Sequence, residues 1–309
     1  MFIDWHSHHT APEVADEITR LTGKKPLVDQ YDSPHFSQRI REMDDAGLDI
    51  QLICQGAGLY ADRFAPADAM ALVRRSNDFI ADRIASCRGR LLGIITVSLK
   101  DIAGSVQEID RMTPKGFRAV LLYPRANGEV VLDTPAADPL LAKISALGLP
   151  VFLHGSASSH DARLKHLEDD GAGVIYSVVA DAYVSECAAR MIASGVFDRH
   201  PNLRIVIRSA GGGLPLLLHR FFWKHKGPKG EQRYSEIFLD HFLIDSAGAN
   251  ARTLGFLIDT LGEERVVFGS DYCGGLGPLK KAFAAIEGQS DPARFKAFTE
   301  RNSRRLLGL

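Results

Sequence analysis

Eight short apolar runs, each followed by a stretch with helical periodicity, recur along this 309-residue chain, and no other feature limits its fold as strongly. The runs occupy residues 2–8, 49–54, 91–97, 117–122, 149–154, 203–209, 242–245 and 265–271. Between and after them, helical spacing is read at residues 33–47, 66–87, 102–112, 138–147, 177–195, 214–222, 249–261 and 293–307. Strands that are apolar at nearly every position must be covered on both faces, and alternating helices do this through right-handed crossovers between parallel strands. Eight such units close into an α/β (β/α)8 barrel, the TIM barrel. An open doubly wound sheet is the alternative, but it would place a Gly-rich phosphate turn after an early strand, and none is found there.

Composition agrees with a folded globular chain. Hydrophobic residues make up 45% and charged residues 24%, and no Ser/Pro/Gly-rich linker or charge block divides the sequence, so residues 1–309 are read as one domain. The net charge of −1 and the lack of a basic stripe argue against nucleic acid or an anionic membrane surface as partner. No apolar run has the length of a membrane span, and no secretory leader precedes the first strand. Cys54, Cys87, Cys187 and Cys273 fit no zinc-finger or disulfide spacing, and reduced thiols in a cytoplasmic protein are expected.

The chemistry begins at His6-Ser7-His8. Successive side chains on a strand alternate between faces, so His6 and His8 project together while Ser7 points away. Functional groups of such barrels lie at the C-terminal ends of the strands. There the first strand carries His6 and His8, the fifth His154 and the eighth Asp271. Alone, His154 reads as a hydrogen-bonded core histidine and Asp271 as a helix N-cap. Together, at strand ends in one register, the four read as ligands of one divalent ion: zinc first, with manganese, iron or cobalt also compatible. Such an ion lowers the pKa of a bound water toward ~7.

Several segments carry a family resemblance: Ile3-Asp4-Trp5-His6-Ser7-His8, Phe152-Leu153-His154, Gly211-Gly212-Gly213-Leu214-Pro215 and Phe268-Gly269-Ser270-Asp271-Tyr272. Arg39-Ile40-Arg41-Glu42-Met43-Asp44, the stretch from Ser194 to Leu203 and the ending Asn302-Ser303-Arg304-Arg305-Leu306-Leu307-Gly308 extend it over essentially the whole chain. The chain resembles the amidohydrolase superfamily, in the branch with aminocarboxymuconate-semialdehyde decarboxylase, the resorcylate-type decarboxylases and 4-oxalomesaconate hydratase. The resemblance implies that His6, His8, His154 and Asp271 hold a single catalytic metal, usually zinc or manganese. It also sets Arg220 where the decarboxylase places an arginine reaching a neighbouring subunit's substrate carboxylate, which implies a homodimer; as a residue by itself, Arg220 reads equally as a solvated arginine. A guanidinium is a good fork for a carboxylate, so a small organic acid is the expected substrate.

The chain also departs from the family pattern. The histidine that normally ends the sixth strand, six residues before the proline of the Gly-rich turn, is Ser209 here. A hydroxyl cannot shuttle a proton near neutral pH as an imidazole can. Three accounts are open: Asp271 doubles as ligand and acid/base, a loop histidine (His9, His160 or His166) folds over the site, or turnover has been lost. Residues 155–173 contain no Trp, unlike the aromatic-rich loop of the semialdehyde decarboxylase, which argues against that substrate. Trp5, Gln55, Tyr123, Arg125 and Arg208 are candidate pocket residues. The leading expectation is non-oxidative decarboxylation of an aromatic or muconate-like acid. Its alternatives are hydrolysis or hydration, with metal-bound hydroxide as nucleophile and Asp271 as base, and a catalytically silent metal- or ligand-binding protein.

Overall fold

The eight runs form parallel strands: β1 (Ile3–His9), β2 (Ile50–Gln55), β3 (Leu91–Thr96), β4 (Phe117–Leu122), β5 (Val151–Leu153), β6 (Ile205–Ile207), β7 (Phe242–Asp245) and β8 (Val266–Val267). The computed structural model describes residues 1–23, 36–56, 60–87, 89–126, 129–155, 173–218, 220, 225–227, 233–286 and 291–309. Each strand pairs in parallel with the next in sequence. Closure comes from the first and last: Trp5 N donates to Phe268 O and His8 N to Tyr272 O, both at 2.8 Å, with a parallel bridge between Ser7 and Tyr272. The sheet is therefore a (β/α)8 barrel, as the alternation of apolar runs and helices requires.

Around it lie α1 (Pro12–Thr22), α2 (Ser37–Asp45), α3 (Pro66–Ser86), α4 (Ile102–Met112), α5 (Asp138–Ala146), α6 (Ala180–Ala193), α7 (Val196–Arg199), α8 (Leu214–Leu217), α9 (Tyr234–His241), α10 (Ala251–Leu261), α11 (Leu279–Ile286), α12 (Pro292–Lys296) and α13 (Asn302–Leu307). Periodicity alone does not find α1, α7, α9 or α11. The expected terminal helix is interrupted by a π-turn at Ala297–Arg301, where Phe298 O accepts the amide of Phe268 and so holds the strand-8 end in place. That contact is one reason β8 is shorter than the apolar run. Beyond Val267, Phe268 N goes to Phe298 O, Gly269 N to Ser246 Oγ and Ser270 N to Asp4 Oδ1, instead of to a backbone carbonyl of a neighbouring strand. Among the described residues no helix is long and apolar enough to cross a membrane.

Alternation along the strands creates two apolar layers. Ile3, Leu52, Ile94, Leu121, Phe152, Val206, Leu243 and Val267, one from each strand in turn, fill the barrel interior, joined from below by Leu307 of α13. The intervening residues, among them Ile53, Ile95, Val120, Ile205 and Ile244, pack outward against Met43, Ile109, Leu140, Val184 and Leu254 of the helices. Burial of both strand faces is why the runs are continuous instead of alternating with polar residues. Leu121 is 1% exposed at the centre of the inner layer. Leu121→Ala is expected to cost about 2–5 kcal/mol of unfolding free energy in a denaturant titration, since a closed barrel cannot collapse around the missing atoms.

Candidate metal centre

The centre is built first from β1. Its pairing with β2 slips between Asp4 and Ser7, a bulge that lets the sequence neighbours Trp5 and His6 both serve the barrel interior. Trp5 joins the inner apolar layer, and the His6 ring lies edge-on to Phe152 at 4.8 Å. Ser7 turns away and donates to Leu52 O at 2.6 Å. The bulge is pinned by the buried Asp4 carboxylate, which accepts from His6 N (3.0 Å), Gln51 Nε2 (2.8 Å), Ser270 N (2.9 Å) and Ser270 Oγ (2.6 Å). From α2, the buried Arg39 donates to Gln51 Oε1 at 2.6 Å and His8 O at 2.5 Å, with its guanidinium over the Tyr272 ring at 4.6 Å. One side chain thus ties both sides of the barrel seam.

His6 and His8 meet with their Nε2 atoms 2.9 Å apart, and Asp271 Oδ1 lies 3.1 Å from each. The His154 ring stands 5.1 Å from that of His6 and 4.9 Å from that of His8. One ligand atom from each of His6, His8, His154 and Asp271 lies within 4.8 Å of the others. Asp271 reaches this corner with φ 54°, a left-handed conformation uncommon for a residue with a side chain and tolerated best by Asn and Asp. No side chain fits at Gly274, where a Cβ would stand 1.9 Å from Asp271 Oδ1.

Every imidazole is anchored through its other nitrogen. His6 Nδ1 lies 2.6 Å from Asp245 Oδ2, His8 Nδ1 3.2 Å from Gln55 O, and His154 Nδ1 2.9 Å from Gly155 O. Carboxylate and carbonyl oxygens only accept, so these bonds place a proton on each Nδ1 and direct each Nε2 into the shared corner as a potential ligand. His154 Nε2 is buried there with no hydrogen-bond partner among the described residues. A buried nitrogen aimed at two imidazoles and a carboxylate fits a cation and little else.

The electrostatics agree. Burial penalises the charged form of His6, but the Asp245 and Asp271 carboxylates outweigh it and raise the ring to about 10. Burial also works against the Asp271 anion, yet His6 and His8 hold it well below the usual carboxylate range. His154, lowered by burial and by the nearby Arg208, His8 and His6 charges, stays neutral. The corner thus favours positive charge, carried by a proton on His6 that a divalent cation would displace on binding, and the chain has a site suited to a divalent metal.

Beside it opens a cavity of about 400 Å³ whose walls include Asp181, Arg208, Ser209, Ala247, Asp271 and Leu276. Arg208 donates to Asp181 Oδ1 from Nε (3.1 Å) and Nη2 (2.8 Å). Ser209 begins a run of left-handed residues reaching Gly213, and its amide donates to Asp245 Oδ1 at 2.7 Å. The other expected site residues are not walls of this cavity. Trp5 is wholly buried within the barrel. The Arg125 guanidinium is paired with Glu186 and lies over the Tyr183 ring at 4.2 Å, so it is engaged by α6 and is not a wall of this cavity. Tyr123 stands edge-on to His154 at 6.2 Å, and Arg220 is exposed. Gln55 contributes its carbonyl to His8. His9 stacks on Phe79 of α3 at 4.6 Å, on the helix side of β1, and does not fold over the site. His160 and His166 lie outside the described residues. Asp245, Asp181 and Arg39 were not expected. Asp245 alone had a signal, an acid closing the seventh apolar run as Asp271 closes the eighth.

Because Asp245 orients His6, Asp245→Asn is expected to weaken metal binding about 10–100-fold while leaving the circular dichroism spectrum unchanged. Metal content after dialysis against a graded chelator checks this, and unaltered retention would remove Asp245 from the account.

Comparison with known proteins agrees with the barrel fold and gives the family. The amidohydrolase family model matches residues 3–309. A gamma-resorcylate decarboxylase of Rhodococcus jostii (strain RHA1) is 28% identical over 251 residues, covering 76% of each chain. A 2-amino-3-carboxymuconate-6-semialdehyde decarboxylase of Dictyostelium discoideum is 26% identical over 280 residues, covering 87% of this chain and 73% of the relative. Among solved structures, a dihydroxybenzoic acid decarboxylase from Polaromonas sp. JS666, with bound manganese and the inhibitor 2-nitroresorcinol, superposes with a TM-score of 0.86 at 22% identity, covering 100% of this chain and 97% of that one. With the family model matched along nearly its whole length, the chain belongs to the amidohydrolase family.

Proposed function

We propose that this protein is a metal-dependent carboxy-lyase that removes CO2 from a small aromatic or muconate-like acid. The observation that carries the reading is the convergence of His6, His8, His154 and Asp271 beside a cavity walled by Arg208. The relatives named as decarboxylases direct it to this reaction class. A divalent ion held by these four residues would supply Lewis-acid anchorage for a carboxylate and an adjacent oxygen of the substrate. Three imidazoles and one carboxylate suit zinc; manganese, the ion in the Polaromonas structure, is the competing choice.

The chain's own residues do the rest. Asp245 and the Gln55 and Gly155 carbonyls keep the three imidazoles in one orientation. Arg208 puts positive charge on the cavity wall, where an anionic substrate gains from it. The exposed position of Arg220 suits a contact with a second copy, and a cytoplasmic homodimer is part of this reading.

One observation favours a second reading. Ser209 in place of the family's imidazole suits hydrolysis or hydration, in which water attacks and Asp271 serves as base. Assay of the zinc- and manganese-loaded protein on dihydroxybenzoates and muconates separates the two. CO2 release is expected; turnover of esters, lactones or enol acids without CO2 release would establish the second reading, and a metal-loaded chain inert on every compound would contradict both.

A further inference from the structure

Decarboxylation requires a proton at the carbon that loses CO2, and the wall residue Ser209 cannot supply it. Two acidic side chains line the cavity, Asp271 and Asp181. Asp271 belongs to the ligand corner, with Oδ1 3.1 Å from two imidazole nitrogens. Asp181 belongs to α6, outside that corner. Its Oδ1 accepts both bonds from Arg208, and its Oδ2 makes no hydrogen bond among the described residues.

The placement of Asp181 is built into the backbone. A Cβ at Gly155, just after β5, would lie 2.8 Å from Ala180 O, and a Cβ at Gly212, just after β6, would lie 2.8 Å from Asp181 O. Ser185 Oγ bridges the two sides, bonding Asp181 O at 2.9 Å and Gly212 O at 2.6 Å. The first turn of α6 is thus wedged between the ends of two barrel strands, at positions where only glycine lets it approach. This wedge holds a carboxyl on the cavity wall with Arg208 fixing its rotamer.

We infer that Asp181 is the proton donor of the reaction, occupying functionally the place that Ser209 leaves open. The inference rests on the decarboxylase reading and is drawn for an aromatic acid. The electron pair of the electron-rich ring takes the Asp181 proton, forming a C–H bond at that carbon. The C–CO2 bond then breaks, its electron pair restores the conjugated ring, and CO2 leaves. The Asp181 carboxylate regains a proton from water, so the sum is one acid anion plus one proton giving one arene and CO2, with no oxidant or reductant. Burial raises the Asp181 carboxyl above its ordinary value although Arg208 opposes this; the charges of Asp245 and His6 also act on it.

Asp181→Asn keeps an acceptor for Arg208 and removes the proton. With the substrate found for the wild type, kcat is expected to fall about 10²–10⁴-fold. KM should stay within a few-fold, with metal content and thermal midpoint unchanged. A kcat within about threefold of wild type would overturn the inference. If the variant loses metal or stability, Asp181→Glu decides: more activity per metal-loaded chain than Asp181→Asn supports a donor, and equal activity overturns it. If the wild type releases CO2 from no compound, the decarboxylase reading itself fails and this inference falls with it, an outcome distinct from an active wild type and an equally active Asp181→Asn.

Discussion

Three hydrogen bonds made by nitrogens that would not touch the metal decide the architecture of this site. Asp245, Gln55 O and Gly155 O each hold one Nδ1, and from that the direction of every Nε2 follows. Without those anchors the rings would rotate, and a buried imidazole would seek a partner singly instead of sharing one with its neighbours. His6, His8 and His154 are each no more than 2% exposed. Such a concentration of polar groups is costly in a protein interior unless a cation or protons balance it. Metal binding is therefore coupled to folding here, since the unfolded chain offers no such cluster.

The barrel provides the rigidity that the anchors need. Its seam lies beside the ligands, and the same residues that close it also orient them. His8 donates its amide to Tyr272 O and gives its carbonyl to Arg39, while Asp4 binds the amides of His6 and Ser270 across the seam. Disturbing the seam would shift His8 and Asp271 together. On the other side of the mouth, Asp245 joins His6 to the Ser209 amide, so the metal corner and the cavity wall share one carboxylate. A substrate pressing on that wall would be felt at His6 through two bonds. His6, His8 and Asp245 lie within strands, where the backbone is fixed by the ladder.

How much of this could be read from the residues differs by level. The barrel was legible because both faces of its strands are buried, leaving continuous apolar runs that a one-sided sheet would not need, and because eight such runs occur without the early Gly-rich phosphate turn of an open doubly wound sheet. The ends of β5, β6 and β8 were less so: the apolar pattern continues past the point where the ladder stops, as at Phe268, whose amide pairs with Phe298. The His6, His8, His154 and Asp271 set was legible from strand-end positions taken together with the family resemblance. Asp245 had the same strand-end signal as Asp271, but its role appears only when His6 Nδ1 is seen beside it. Asp181 gave no local signal, because its position depends on Gly155 and Gly212, 26 residues before and 31 after it. The engagement of Arg125 was hidden for a related reason: a cation after the fourth strand looks available in the sequence, and its pairing with Glu186 and Tyr183 of α6 appears only in the fold.

Anomalous scattering from crystals grown with zinc or manganese tests the central claim most directly. The account predicts one strong peak per chain, within about 2.0–2.2 Å of the three imidazole Nε2 atoms and an Asp271 oxygen for zinc. A peak bound without His154 or Asp271, or an ion held only at the protein surface, would contradict it.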